Sequence, residues 1–206
     1  MITQLLPWGV GWRTSSGGTT LMSATFPKKE SHGLAPWEDV NEPVMGSAMI
    51  SECGEYRYEL WRSIQEYGPV LCWIMLNPST ADGSKDDPTI RRVVNFTRRE
   101  GYSCAVVINL FALRSSAPIL LRTHPDPIGP ENDVMIEKWV DYGCPIICAW
   151  GGGGQKRAAE VLAGPLRNAN LWCLGTTKDG SPRHPLYVRG DQPLIPFRRV
   201  TLNGLR

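Results

Sequence analysis

The segment Val70–Asp82 reads VLCWIMLNPSTAD and decides the fold. Its first part, Val70–Leu76, is continuously apolar, and its second part is polar and contains Pro78. An apolar run of this length without alternation is typical of a strand buried on both faces, as in a parallel sheet. We therefore expect a central strand that ends at Leu76 and a loop that begins at Asn77.

Working outward from this strand, three further apolar runs follow along the chain. These runs are Cys104–Leu113, Ile146–Trp150 and Leu171–Leu174. Segments with helical patterns lie before and between the runs. The predicted helices are Tyr56–Tyr67, Pro88–Glu100, Glu131–Tyr142 and Gln155–Ala163. Strands that alternate with helices predict an α/β fold with three layers, α/β/α, around a central, mainly parallel four-stranded sheet.

The predicted helix Pro88–Glu100 has two different faces at 100° per residue. One face is largely apolar and contains Ile90, Val93, Val94 and Thr97. The opposite face contains Arg91, Arg92, Asn95, Arg98 and Arg99. Such an arginine stripe is either a solvated surface or a surface that faces phosphates, and the pattern leaves both interpretations open.

Composition restricts the class of protein. The chain has 206 residues, 42% of them apolar and 20% charged, which excludes a disordered chain. No apolar run approaches the ~20 residues that a membrane span needs. Residues 1–47 are rich in Gly, Ser, Thr and Pro and show no period, so we expect an irregular N-terminal extension before a folded domain at 48–206.

The charge distribution and the spacing of the cysteines restrict the binding partners and metal sites that we expect. The formal net charge is +2, but residues 178–206 contain six Lys or Arg and two Asp, which indicates either a phosphate-bearing partner or a plain solvated surface. The six cysteines form no CxxC pair, so neither zinc nor an iron–sulfur cluster is expected. No signal peptide is recognisable, and a reducing, cytoplasmic location fits the free thiols.

Polar or glycine-rich segments follow all four predicted strands. These segments are Asn77–Asp82, Arg114–Ser116, Gly151–Gly154 and Gly175–Pro185. Ligands of open α/β sheets bind beyond the carboxyl ends of the strands, so the four segments predict a ligand site at that edge. The long loop Arg114–Pro130 is either part of this site or a plain surface loop.

Two features of these segments suggest chemistry. The glycines that open the helix at Gln155 let backbone N–H groups approach a phosphate, although a flexible connection explains them too. His184 lies between Pro182 and Pro185, where a neutral imidazole can donate a hydrogen bond to a developing anion. An ordinary surface histidine is the alternative.

Four motifs in this order resemble those of the uracil-DNA glycosylase superfamily. They are Met75-Leu76-Asn77-Pro78-Ser79, Ile108-Asn109-Leu110, Ala149-Trp150-Gly151 with Gln155-Lys156, and His184-Pro185-Leu186. The resemblance covers about residues 69–190 and implies a four-stranded parallel sheet with flanking helices. It also implies an enzyme that flips a nucleotide out of DNA, cleaves its N-glycosidic bond and leaves an abasic site. No metal or organic cofactor is implied.

The resemblance assigns roles to individual residues. Asn77, with Asp82 as a helper, would position the attacking water, and His184 would stabilise the leaving base. Asn109 would read the base edge. The other residues expected at the base are Pro78, Ser79 and Phe111. The residues expected at DNA phosphates are Gly151, Gly152, Lys156, Ser181, Arg183 and Arg91. The candidates for a side chain that wedges into the duplex are Leu186, Tyr187 and Arg183.

The motifs also depart from that superfamily. Asn77 stands where the most active uracil enzymes have an Asp, and the segment after His184-Pro185 lacks the usual Ser-Pro-Leu-Ser sequence. These departures favour a modified pyrimidine in DNA, such as glucosylated hydroxymethylcytosine in phage DNA, over uracil or mismatched thymine. We expect the protein to be a monomer and its partner to be DNA. An enzyme of free nucleotides and a non-catalytic DNA-binding module remain as other classes.

Residues Ala48–Phe197 resemble a second family, of bacterial and phage proteins, that is catalogued as a domain of unknown function. The motifs that carry this resemblance are Asn77–Asp82, Asp87–Arg92, Gly129–Asp133 and Thr177–Gly180. This second resemblance indicates a family but no reaction.

Overall fold

The computed structural model of the protein describes residues 45–117 and 119–197. Most of the predicted extension, residues 1–44, lies outside the described residues, and so does the end of the basic C-terminal segment, residues 198–206. Within the described part of the chain, no helix has the length and apolar character that crossing a membrane requires.

In the described residues, seven strands form one sheet in the order β1-β2-β4-β3-β5-β6-β7. The strands are β1 Met45–Ile50, β2 Arg57–Ser63, β3 Val70–Met75, β4 Cys104–Asn109, β5 Ile146–Cys148, β6 Leu171–Cys173 and β7 Ile195–Pro196. The α/β class is therefore confirmed, but the sheet has three more strands than the apolar runs predict. Strand β1 begins at Met45, so it crosses the predicted domain boundary between residues 47 and 48.

The four strands predicted from the apolar runs lie side by side and are parallel. Strand β3 pairs with β4 on one side and with β5 on the other, and β5 pairs with β6. Met75 lies opposite Asn109, and Ile74 lies opposite Cys148. The carboxyl ends of all four strands therefore meet at one edge of the sheet. Strands β1, β2 and β7 are antiparallel to their neighbours.

Helices cover both faces of this sheet, which explains why the apolar runs are continuous. The helices are α1 Pro88–Arg99, α2 Leu120–Thr123, α3 Asn132–Asp141 and α4 Gln155–Ala163. Leu71 and Trp73 of β3 belong to one core with the apolar face of α1. Cys72 and Ile74 belong to the opposite core, with residues of α3 and α4. Every residue of β3 is consequently buried.

Helix α1 confirms the prediction at Pro88–Glu100. Asp87 caps its start, because its Oδ1 accepts a hydrogen bond from the backbone N of Ile90 at 2.8 Å. Pro88 occupies the first turn, where its missing N–H is not needed. Gly101 follows the helix with φ +78°, a conformation that favours glycine and ends the helix. The predicted helices at 131–142 and 155–163 are confirmed as α3 and α4.

The prediction of a helix at Tyr56–Tyr67 is wrong, because this segment forms strand β2. Tyr58 and Leu60 are buried, while Glu59 and Trp61, at the alternate positions, are half-buried. The sequence hides this alternation because a charged residue, Arg62, takes the next buried position.

Arg62 is 2% exposed and connects β2 to the loop before α1. Its Nε donates to Asp86 Oδ1 at 2.6 Å, and its Nη2 donates to the carbonyl oxygen of Asp82 at 2.5 Å. Nη1 donates to the carbonyl oxygen of Trp61 at 2.8 Å. A buried charge with this many partners is satisfied, so Arg62 fixes the loop that leads to the Asp87 cap.

We predict that Arg62→Ala destabilises the protein by about 3 kcal/mol, because it leaves Asp86 and several carbonyl groups without their partner. This value is at the lower end of the range for a broken buried ion pair, since Asp86 keeps 24% exposure. Urea unfolding measures the change. The matched control is Arg122→Ala on the exposed side of α2, which should cost less than about 0.5 kcal/mol. Equal effects of the two substitutions would contradict this account of Arg62.

Candidate functional site

A cavity of about 710 Å³ lies at the edge of the sheet where the four parallel strands end. This volume is within the ~300–1,000 Å³ of typical small-molecule sites. Residues that follow β3, β4, β5 and β6 all contribute to its wall. Its lining residues are Arg57, Met75, Leu76, Asn77, Ser79, Asp87, Thr89, Ile90, Val107, Asn109, Ser115, Ser116, Trp150, Gly151, Gly152, Thr177, Lys178, Arg183, His184 and Tyr187.

Asn109, the last residue of β4, lines this cavity and carries a buried donor. It is 1% exposed, and its Nδ2 has no hydrogen-bond partner in the described residues. The backbone here is fixed by Asn132, whose Nδ2 donates to the carbonyl oxygens of Asn109 and Leu110, each at 3.0 Å. Arg157 also donates to Leu110 O, at 3.1 Å. A buried amide N–H without a partner costs about 1–3 kcal/mol, so a ligand that supplies an acceptor gains from this group.

Asn77 lies at the end of β3 and braces the neighbouring loop. Its Nδ2 donates to the carbonyl oxygens of Ser115, at 2.7 Å, and Pro78, at 3.0 Å. These bonds direct the amide nitrogen toward the loop, and no hydrogen bond from the described residues reaches its Oδ1. The carbonyl oxygen is therefore the atom through which Asn77 can accept a hydrogen bond at the cavity. Ser115 and Ser116 show that the start of the loop at 114–130 does line the site.

Gly151 lets the end of β5 approach the loop that carries His184. Its φ is +72°, and its N donates to the carbonyl oxygen of Pro182 at 2.9 Å. A Cβ at this position would lie 3.2 Å from the Cβ of His184. A side chain here would therefore strain the backbone and push against the histidine.

His184 lines the cavity as a neutral imidazole. Its Nδ1 accepts a hydrogen bond from the backbone N of Leu186 at 3.3 Å, so the ring proton lies on Nε2. Burial lowers the pKa of His184 below its ordinary value of 6.5, and the negative charge of Asp87 opposes this shift. At neutral pH the ring is thus a donor of one N–H without a positive charge.

Two arginines of α1 hold the segment after His184 in place. Arg92 donates to the carbonyl oxygens of Val188, at 2.6 Å, and Pro185, at 3.4 Å. Arg99 donates to Gly190 O at 2.5 Å. The arginine stripe is therefore neither wholly solvated nor wholly directed at phosphates, because part of it clamps this loop.

Two charged residues, Arg57 and Asp87, are among the lining residues that the sequence prediction missed. Arg57 was hidden in the segment expected to be a helix, and it is 2% exposed. Asp87 caps α1, but it also lines the cavity, and its charge affects the pKa values of both Arg57 and His184. The Asp-Pro start of α1 could have suggested Asp87, since a cap next to a strand-end loop often lies near the ligand edge.

The structure brings together most of the residues predicted for the site, but not all. Those at the cavity are Asn77, Ser79, Asn109, Gly151, Gly152, Arg183 and His184, with the wedge candidate Tyr187. The predicted residues that do not line it are Asp82, Pro78, Phe111, Lys156, Ser181, Arg91 and the wedge candidate Leu186. Leu186, Tyr187 and Arg183 are all exposed.

Several of the residues outside the cavity have local roles instead. Asp82 Oδ1 accepts hydrogen bonds from the backbone N of Ser84, at 2.9 Å, and Lys85, at 2.8 Å, so its carboxylate closes a turn. The Ser181 hydroxyl is 3.3 Å from Asp179 Oδ2 in another turn. Arg91 donates to the carbonyl oxygen of Asp86 at 3.0 Å.

We predict that Gly151→Ala destabilises the protein by about 1–2 kcal/mol, because alanine is strained at positive φ and crowds His184. Urea unfolding and the NMR signals of the His184 ring measure the two effects. Gly152→Ala is the control, since a Cβ there meets no atom within 4 Å. An unshifted His184 signal in Gly151→Ala would show that the close approach does not position the histidine.

We predict that NMR titration finds His184 neutral in the Nε2–H form at pH 7, with a pKa below 6.5. Asp87→Asn removes the negative charge that raises this pKa, so the pKa should fall further. Asn also caps helices well, which preserves α1. Asp141→Asn, at the exposed end of α3, is the control that leaves the titration unchanged. A His184 pKa above 6.5 in the unmodified protein would contradict the assignment.

The comparisons with known proteins identify one family. Searches of the curated proteins and of the solved structures each found no match. Residues 57–186 match the family described as "Protein of unknown function (DUF1643)", and this range begins with β2 and ends in the segment after His184. Because the match spans more than half of the chain and includes every strand end at the cavity, the chain belongs to the DUF1643 family.

Proposed function

We propose that this protein is a DNA glycosylase that flips a pyrimidine nucleotide into the cavity and hydrolyses its N-glycosidic bond. The observation that carries the proposal is the meeting of Asn77, Asn109 and His184 in one cavity, at the ends of parallel strands. These are the three residues that the resemblance to uracil-DNA glycosylases assigns to water, base edge and leaving base. Four mutually parallel strands in the middle of the sheet also support that resemblance.

The cavity has the surfaces that a flipped base needs. Leu76, Trp150 and Tyr187 supply apolar and aromatic surface for a planar ring. The unpartnered Nδ2 of Asn109 supplies a donor for a ring carbonyl or ring nitrogen. Two exposed cations in the lining, Lys178 and Arg183, supply positive charge for the DNA backbone outside the pocket.

In the proposed reaction, water attacks C1′ of the sugar while the C1′–N bond breaks and its electron pair passes to the base. Asn77 Oδ1 accepts a hydrogen bond from this water and orients it. The water oxygen stays on C1′, and its proton passes through solvent to the departed base. The transition state resembles an oxocarbenium ion, as in other glycoside hydrolyses.

His184 acts on the leaving base. Negative charge develops on the base as the C1′–N bond breaks, and the Nε2–H of the neutral imidazole donates a hydrogen bond to it. The lowered pKa of His184 suits this role, because the ring needs no proton beyond the one on Nε2. Gly151 and the arginines of α1 support the loop that aims this donor.

For the substrate we propose a modified pyrimidine in phage DNA, such as glucosylated hydroxymethylcytosine. A cavity of about 710 Å³ exceeds what an unmodified pyrimidine ring fills. Excision would then leave abasic sites that stop phage replication. Uracil or mismatched thymine, with a role in repair, is the alternative that the same residues allow.

An excision assay tests the proposal. Purified protein is incubated with DNA that contains uracil, mismatched thymine, hydroxymethylated pyrimidines or glucosylated hydroxymethylcytosine. Alkali cleavage reveals abasic sites, and mass spectrometry identifies the released base. We expect release from the glucosylated DNA. Release of uracil or thymine alone would assign the protein to repair, and binding of DNA without release would make it a non-catalytic binding module.

Variants connect the activity to the site. We predict that His184→Ala lowers the excision rate about 10²–10³-fold, as for the loss of one donor to a developing anion, with little change in DNA affinity. His124→Ala is the matched control, because His124 lies outside the cavity lining and interacts with Glu55 at 2.9 Å. If both variants excise at the rate of the unmodified protein, His184 has no role in the chemistry.

A further inference from the structure

Arg57 places a buried, unneutralised cation on the wall of the cavity. It is the first residue of β2 and is 2% exposed. Its Nη1 donates to the carbonyl oxygen of Ala81 at 2.7 Å, but its Nε has no hydrogen-bond partner among the described residues. Within the described part of the chain, no carboxylate lies within 4.0 Å of its guanidinium.

Arg62, five residues later on the same strand, shows by contrast how a buried guanidinium is usually satisfied. Arg62 is equally buried, but Asp86 and four backbone carbonyl groups bind its guanidinium. Desolvation lowers the pKa of Arg57 to about 10, and the positive charges of Arg114 and Arg62 act in the same direction. Asp87 opposes this shift without forming an ion pair. Arg57 still keeps its proton at neutral pH, so a ligand in the cavity meets a cation.

The end of β4, which lies beside Arg57, also carries a donor without a partner. Arg57 N donates to the carbonyl oxygen of Ala112 at 2.9 Å, which ties the start of β2 to the chain that follows β4. Asn109, at the end of β4, also lines the cavity and carries a second buried, unpartnered N–H donor. Two orphaned donors, one of them charged, require acceptors from the ligand and favour negative charge on it.

We propose that Arg57 is an anion-binding residue of the cavity and that its ligand is a planar ring carrying an oxyanion. The aromatic and apolar surface of Trp150, Tyr187 and Leu76 favours a planar ring over a tetrahedral phosphate. The inference rests on the proposed function when it is applied to catalysis. There, the electron pair of the broken C1′–N bond spreads to the carbonyl oxygen of the leaving base, O2 in a cytosine, and an N–H group of the Arg57 guanidinium donates to it.

Binding of small molecules tests the inference without DNA. Barbiturate is a planar pyrimidine that is a ring oxyanion at neutral pH, and uracil is its uncharged counterpart. By calorimetry at pH 7, we expect the protein to bind barbiturate about tenfold or more tightly than uracil, as for a charge-assisted hydrogen bond in a buried site. Arg57→Gln should abolish this preference. Arg122→Gln removes the same charge from the exposed surface of α2 and should retain it.

A second variant keeps the test decisive if Arg57→Gln does not fold. Asn109→Asp puts a negative charge on the same wall, so it should weaken barbiturate binding more than uracil binding. Inorganic phosphate is the third probe. Phosphate binding tighter than that of barbiturate, or a preference for barbiturate that survives Arg57→Gln, would overturn the inference.

The excision assay separates this inference from the proposed function. Preference for barbiturate without excision of any base would support the anion site and contradict the glycosylase. If a base is excised, Arg57→Gln should lower kcat more than it raises KM, because the charge on the base develops in the transition state. Excision at an unchanged kcat in Arg57→Gln would overturn the role of Arg57 and leave the glycosylase intact.

Discussion

The site depends on the parallel pairing of β3 with both of its neighbours. Met75 lies opposite Asn109, and the ladder continues past the strand ends, because Leu110 N donates to Met75 O at 2.8 Å and Phe111 N donates to Leu76 O at 2.9 Å. On the other side, Ala149 N donates to Ile74 O at 2.8 Å. This register brings Asn77, Asn109 and Gly151 to one edge. A slip of one residue would turn each side chain to the opposite face.

The parallel core could be predicted because burial on both faces leaves a plain trace in the sequence. A residue such as Trp73 faces α1 while its neighbour Cys72 faces the opposite helices, so neither position tolerates a polar side chain. Helix α1 was equally predictable, since Asp87, Pro88 and Gly101 mark its ends. The antiparallel strand β2, in contrast, could not be predicted from the sequence. Its buried positions include Arg57 and Arg62, whose partners Ala81 and Asp86 are distant in sequence, so the pattern of residues gives no sign that these charges are buried.

The difference between backbone position and side-chain contacts also explains which of the residues predicted for the site line the cavity. Proximity to a strand end suggested Asn77, Asn109 and His184, and all three line the cavity, because the backbone alone determines that edge. It also suggested Asp82 and Ser181, which do not line the cavity and whose oxygens bond within turns only two or three residues away. A polar residue after a strand is available to a ligand only when its own loop does not use it. That competition depends on turn geometry, which the residue pattern does not encode.

The charges around the cavity are arranged so that positive charge prevails without a charged histidine. His184 stays neutral through burial and through the acceptor role of its Nδ1. Asp87 has two roles. Its carboxylate caps α1, and its negative charge favours the protonated forms of both His184 and Arg57. A single carboxylate already committed to a helix N-terminus cannot neutralise both groups. The remaining positive charge on Arg57 therefore lacks a counterion among the described residues, and in the proposed reaction this charge would stabilise a base that departs as an anion.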